Sequence, residues 1–216
     1  MTTASEKKGQ GTREKLLDAA ERLFADQGFN RTSLRDITAA AEANLASVNY
    51  HFGSKERLIQ EIFKRRLGPI NEARMAALDR VEQQVDPVSL ESVVEAFVGP
   101  ALRMCHQWDQ KGSVSRLLGN VMNQPDARLK EQFVDQFRDV VARFSRALSS
   151  RLPDLPPDEI HWRFLFMAGL MAHTILWSHD MPRLPGGLSY DDDVELTIRH
   201  LVGFTCAGMR SDAIPR

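Results

Sequence analysis

The residues with the clearest chemistry lie close together in LASVNYHFGSK: Ala46, Ser47, Asn49, Tyr50, His51 and Lys55. Ser47, Asn49, Tyr50 and His51 all carry hydrogen-bonding groups, and a side-chain amide such as that of Asn49 pairs with two edge atoms of adenine at once. Ala46 and Ser47 are small enough to let a helix approach a base edge closely. Ser54 is placed to cap a following helix, which sets Lys55 in its first turn beside unpaired backbone N–H groups, where a phosphate can be held. This is the chemistry of reading duplex DNA, provided that the residues are presented on a short, rigid helix.

The surrounding sequence supplies that helix. Ser33 followed by Asp36 is a short-armed capping box, and Leu34, Ile37 and Ala41 recur on one helical face. A helix is expected over 34–41 and a sharp turn at 42–44, with Asn44 the residue that tolerates a left-handed conformation. A second helix follows over 45–51, anchored at its back by Leu45 and Val48, and Gly53 ends it. Two short helices about a tight turn form a helix-turn-helix. Upstream, Thr12 is read as the cap of a helix through Leu16, Ala20, Leu23 and Phe24 that Gly28 stops; residues 1–11, polar with Lys7, Lys8, Gly9 and Gly11, read as a flexible arm.

The segment NYHFGSKERLI behind a helix-turn-helix resembles the DNA-binding signature of the TetR family of bacterial one-component transcriptional regulators, in its AcrR-like form. The resemblance is carried by the aromatic-His-Phe, the Ser-Lys and the following Leu, and covers 12–67. It implies an all-α fold: an N-terminal three-helix helix-turn-helix domain (12–67) and a C-terminal helical bundle (68–216) for ligand binding and dimerisation. It further implies that Thr32, Tyr50, His51 and Lys55 touch phosphates, that Ala46, Ser47 and Asn49 face the bases, and that Ser33 belongs to the same surface. VNYHFGSK, LGPIN, LPPDEIHWRFLFMAG and FTCAGMR are similar to the PsrA-type fatty-acid-responsive subgroup, which implies a long-chain fatty acid or acyl-CoA as effector.

Composition sets the outer bounds. A chain of 216 residues with 43% hydrophobic content buries a substantial core, and its formal net charge of -1 conceals an asymmetry. Lys and Arg outnumber Asp and Glu by 12 to 9 in residues 1–66, leaving 16 against 20 in the rest. A mildly basic head on an acidic body suits a protein that meets phosphate at one end. No apolar run reaches the length of a membrane span and no apolar leader opens the chain, so the expectation is a cytoplasmic protein with no membrane partner. Cys105 and Cys206 read as buried thiols. Cys105 and His106 are adjacent and point apart on a helix, and no HxxxH spacing occurs, so neither metal nor cofactor is expected. There is no GxSxG and no Gly-rich phosphate loop, which leaves an all-helical enzyme or carrier as the minor alternative. A non-specific architectural DNA protein is the third reading.

The body reads as helices throughout. The basic run Lys64, Arg65, Arg66 is a solvated face, and Gly68-Pro69 predicts a kink or break that doubles as the domain boundary. Asp86-Pro87 starts a kinked helix, or two consecutive ones, to about Trp108, with Gly99-Pro100 inside it. A turn at 110–112, a short helix over 114–122 and one long amphipathic helix from about Leu129 to Leu152 follow. Residues 158–179 are apolar on most faces, which requires burial all round, the last side by another subunit. A Pro/Gly-rich loop over 181–189 precedes a last helix, with Asp191 to Asp193 at its start and Met209 near its end. Phe97, Met104, Trp108, Met122, Phe133, Phe137, Trp162, Phe166 and Leu170 are candidates for lining an apolar effector pocket, with Arg116 and Arg163 as anion partners for a headgroup. Ala168, Ala172, Gly203 and Ala207 permit the close helix approach of a two-fold dimer. The partners expected are therefore a palindromic double-stranded DNA operator, a hydrophobic small-molecule effector and a second copy of the chain. The effector is a fatty acid or acyl-CoA, or alternatively a drug or aromatic compound if the protein controls an efflux operon.

Overall fold

The computed structural model describes residues 4–84, 87–108, 113–177 and 193–213, and among them it holds ten α-helices and no strand. None of these helices is long and apolar enough to cross a membrane. Two compact units are formed, one from Met1–Gly68 with Arg116–Gln136, the other from Pro69–Ser115 with Phe137–Arg216. The expected turn at 110–112, the loop at 181–189 and the caps Asp86 and Asp191 lie outside the described residues.

In the first unit, α1 (Ala4–Gln27), α2 (Leu34–Ala40) and α3 (Leu45–His51) pack on one another, with the start of α4 (Lys55–Glu82). α1 begins at Ala4, ahead of the Thr12 start expected, because Ala, Glu, Lys and Gln before Gly11 are strong helix formers that outweigh the two glycines. Leu16, Ala20 and Phe24 of α1, Ile37 of α2, Val48 of α3 and Leu58 and Ile62 of α4 are buried together as the core. α6 (Ser113–Asn123) and α7 (Ala127–Asp135) also contribute to this unit, and the Phe133 ring stands edge-on to Phe63 with centroids 5.5 Å apart. Arg65 and Arg66 are not a solvated face. Arg65 pairs with Asp18 at 2.6 Å and the Arg66 Nε donates to Glu21 at 2.6 Å, so the run clips α4 to α1.

The second unit is built from the remainder of α4, α5 (Leu90–Trp108), α8 (Arg138–Ser149), α9 (Pro157–Trp177) and α10 (Val194–Met209). Phe97 of α5 sits at its centre, edge-on to Phe144 of α8 at 5.3 Å and to Phe164 of α9 at 4.9 Å. α10 packs on α5 and α9, with Ile198, Leu201 and Met209 buried, and Asp193 caps it through the Leu196 N–H.

Three local expectations are corrected. α4 continues through Gly68 and Pro69 instead of breaking: a proline removes one backbone bond, and the buried Leu67 and Ile70 hold the turns on either side. α5 is one helix with Pro100 inside it, started at Leu90 by Ser89, whose hydroxyl accepts the Ser92 N–H. The long helix expected over 129–152 is two, α7 and α8, divided at Gln136 and Phe137. Neither residue is a helix breaker; Phe133 is committed to Phe63 in the first unit and Phe137 to Arg74 in the second, and packing overrides propensity.

Candidate nucleic-acid interface

α2 opens with the capping box expected of Ser33 and Asp36. The Asp36 N–H donates to Ser33 Oγ at 3.2 Å, and Asp36 Oδ2 accepts from the Ser33 N–H at 2.8 Å and its hydroxyl at 2.7 Å. Those hydrogen bonds, with Lys55 a smaller cause, hold the Asp36 carboxyl below its ordinary range. α2 closes in a Schellman turn: the Ala43 N–H reaches the Thr38 carbonyl at 2.9 Å and the Glu42 N–H reaches Ala39 at 3.3 Å. The left-handed residue of this turn is Glu42, with φ 52°, and not Asn44. Asn44 is extended and caps α3, its Oδ1 accepting the Ser47 N–H at 2.8 Å and the Ser47 hydroxyl at 3.0 Å. A left-handed glutamate costs about 1 kcal/mol that glycine does not. Glu42→Gly, on an exposed residue, is therefore expected to raise stability by about 1 kcal/mol, read as a higher urea midpoint; an unchanged or lower midpoint would show that the turn is not strained.

Val48 alone seats α3 on the core; Leu45, expected beside it, is largely exposed. Ala46, Asn49 and Tyr50 point to solvent, Tyr50 with 85% of its surface free, while Ser47 and His51 are half-buried. The imidazole of His51 stands edge-on to the Tyr50 ring at 4.9 Å. Because the Ser47 hydroxyl proton is spent on Asn44, Ser47 meets a ligand as an acceptor. The outward face thus offers a small methyl, an acceptor, a two-way amide and a phenol on a helix capped at its start and seated by Val48.

Thr32 and Lys55 are placed differently from the surface residues. The buried Thr32 hydroxyl donates to the Gly28 carbonyl at 2.9 Å, with Leu23 at 3.3 Å. Lys55 Nζ donates to the Phe29 carbonyl at 2.6 Å, lies 5.8 Å from the centre of the Phe24 ring, and has its pKa lowered by burial. The Asn120 amide of α6 reaches the Phe24 and Ala25 carbonyls at 2.8 and 2.9 Å. Thr32 and Asn120 thus bind carbonyls in and next to the last turn of α1 and Lys55 the Phe29 carbonyl just beyond it, where a cation is also favoured by the helix dipole. Thr32 has no hydroxyl left for a phosphate; Lys55, with three N–H donors, retains some. Arg31, Arg35 and Arg57, exposed on and beside α2 and α4, were not singled out from the sequence; their signal there is only the basic surplus of the head.

The description "Tetracyclin repressor-like, C-terminal domain" matches residues 95–208, and "Bacterial regulatory proteins, tetR family" matches residues 16–62. The chain belongs to the TetR family of transcriptional regulators. Among TetR relatives it is similar to the HTH-type transcriptional repressor KstR2 of Rhodococcus jostii, 44% identical over 54 residues, and to the HTH-type transcriptional regulator TtgR of Pseudomonas putida, 31% identical over 90 residues. These matches span 25% and 41% of this chain, and only 26% and 41% of the relatives. The fold is that of the fatty acid degradation regulator FadR from Bacillus halodurans, with a TM-score of 0.69 over 93% of this chain and 97% of that one at 12% identity. A TetR-family regulator from Streptomyces coelicolor superposes with a TM-score of 0.58 at 20% identity, over 94% and 96% of the two chains. A TetR regulator is a DNA-binding protein and not an enzyme, which sets the enzyme or carrier reading aside.

The residues expected to line an effector pocket are divided between the two units. Arg116, Met122 and Phe133 belong to the first unit, where Arg116 pairs with Asp26 at 3.5 Å and Met122 is largely exposed. Trp162, Phe166 and Leu170 are exposed on the outer side of α9. Met104 and Trp108 are half-buried at the end of α5; in the second unit Phe97 is buried and Phe137 half-buried. Arg163 is no free headgroup partner. Its Nη1 donates to the carbonyls of Gly208, Met209 and Ser211, its Nη2 to Asp212, and its Nε to Glu159, so it caps the end of α10.

Proposed function

We propose that the protein is a homodimeric repressor that binds a palindromic operator through α3 and releases it when an apolar small molecule occupies the second unit. The observation that carries the DNA reading is the outward face of α3. Asn49, Ala46 and Ser47 supply base contacts, and Tyr50, His51 and the remaining donors of Lys55 hold phosphates, with Arg31, Arg35 and Arg57 adding charge. Binding through phosphates makes affinity fall steeply with salt.

The dimer is supported by an exposed apolar face on the last two helices. Trp162, Leu165, Phe166 and Leu170 share one side of α9 with Trp177 two turns further on, and Leu196 and Phe204 add to the face on α10. Phe166, Leu170, Phe204 and Gly208 line a groove there. Single apolar residues are ordinary on a surface, but a face of this length marks an interaction site. Ala168 and Ala172, half-buried, and Gly203 and Ala207, exposed, keep it low enough for a second copy to approach.

The effector is a hydrophobic molecule, with a long-chain fatty acid or its acyl-CoA favoured by the PsrA-type resemblance and in keeping with the FadR-like fold. Operator and effector affinities are coupled reciprocally, typically by about 1 to 3 kcal/mol. The test is a titration of oleate, oleoyl-CoA and an aromatic cationic dye against the operator complex. Release by oleate or its CoA ester is the expected result. Release by the dye alone would make this a drug-sensing regulator, and release by none would remove the effector from the account.

A further inference from the structure

The second unit holds a buried cation for which the described residues provide no acid. Arg74 of α4 has 1% of its surface exposed. Its Nε donates to the Phe97 carbonyl at 2.8 Å, its Nη1 to Asn71 Oδ1 at 3.1 Å and its Nη2 to the Met171 sulfur at 3.2 Å. The guanidinium lies over the Phe97 ring at 4.2 Å and 5.8 Å from the centre of Phe137. Each of these partners is neutral. Burial alone drags the pKa of Arg74 down to about 10, an effect the Cys105 sulfur only partly offsets.

Other arginines of the same unit show how different this is. Arg103 meets Glu195 and Glu95, Arg143 meets Glu82 and Asp79, and Arg210 meets Glu91, all on the surface. Arg163, also buried, meets Glu159. Arg74, the most deeply buried of these, meets no carboxylate among the described residues, although an uncompensated buried charge is the costlier arrangement. Of its five N–H groups three have acceptors, and one of those is a thioether, a weak acceptor on a flexible side chain. Met171 occupies a direction that a carboxylate oxygen would take to form the two-pronged pair a guanidinium prefers.

We infer that Arg74 is the anchor of the effector site in the second unit, and that the effector is an anion whose carboxylate displaces Met171 from the guanidinium while its apolar part packs against Phe97 and Phe137. This rests on the second unit being the effector-binding part of the protein. It replaces Arg116 and Arg163, which are committed elsewhere, as the source of anion selectivity. The apolar rings flanking the cation exclude water from the pair, so a headgroup of the wrong charge is rejected and a neutral one leaves the guanidinium unpaired.

The probes are three molecules of one chain length: dodecanoate, dodecanol and dodecyltrimethylammonium, titrated calorimetrically into the full chain below their micellar concentrations. Dodecanoate is expected to bind at least about tenfold more tightly than dodecanol, a factor that corresponds to one good charge-assisted hydrogen bond. Arg74→Gln is expected to erase that preference and Arg74→Lys to keep part of it. The wild-type comparison needs no variant, so it stands even if Arg74→Gln fails to fold. Equal binding of dodecanoate and dodecanol, or tighter binding of the cation, overturns the anchor and leaves the effector reading in place. Binding of none of the three, together with no release of operator by oleate, overturns both.

Discussion

Phe204→Glu turns the protein into a monomer that no longer holds an operator. Phe204 is 71% exposed in the single protomer, so the substitution touches no core and leaves the fold within about 0.5 kcal/mol of its original stability. In a dimer the same position is covered, and a carboxylate there must be desolvated at a cost of several kcal/mol with nothing to pair it. Gly203→Trp gives an independent variant of the same kind: Gly203 is exposed and a Cβ there meets nothing within 4 Å in the protomer, so its side chain starts in open space that a second copy would fill. Operator binding is lost with the dimer because two half-sites about 34 Å apart, or a multiple of that, need two heads held together. Light scattering at micromolar concentration reads the mass and a gel shift the binding. A wild-type protein already monomeric, or a Phe204→Glu protein still dimeric, would place the subunit contact elsewhere.

Arg163→Ala lowers stability by about 3 to 5 kcal/mol, the range for breaking a buried ion pair from one side. Arg163 is 9% exposed, and its loss removes the pairing with Glu159 at 3.2 Å and takes from the Met209, Ser211 and Asp212 carbonyls, accepting at 2.7 to 3.0 Å, the donor they share. Arg163→Lys recovers only part, because an ammonium cannot fork across several carbonyls. Urea unfolding of the full chain measures the change. A loss under about 1 kcal/mol would show that the end of α10 is held by something else, and would return Arg163 to the list of side chains free to meet an effector.

What could be read from the sequence was local. The Ser33–Asp36 box, the stop at Gly53 and the spacing of Ile37 and Val48 are short-range signals, and they place α2, α3 and the start of α4 within a residue or so. Glu42 escaped because a left-handed glutamate carries no signature; Asn44 drew the assignment by its type, yet its side chain was needed to cap α3. The division of α7 from α8 escaped for a related reason, since Phe133 and Phe137 look like one apolar stripe until their partners, Phe63 and Arg74, are known. Arg163 and Arg74 show the same limit from two sides. Both are arginines among apolar residues in a helix, and only the structure shows that one is spent on carbonyls 45 or more positions away while the other is buried against neutral partners. Of the residues expected to contact DNA, the exposure of Ala46, Asn49 and Tyr50 was legible because a short helix shows its faces directly. Thr32 was not, because its burial depends on where α1 ends.

The most direct measurement is a fluorescence-anisotropy titration of a labelled operator, selected from random duplexes by the wild-type protein, with wild type and with Asn49→Ala/Tyr50→Ala. Both side chains are exposed on α3 and neither supports the core. Removing one base contact and one phosphate contact at about 1 to 3 kcal/mol each weakens binding by at least about 100-fold, with the wild type saturating at one dimer per palindrome. A double variant that binds the operator as tightly as wild type would contradict the account, because the face of α3 would then not be the surface that meets DNA.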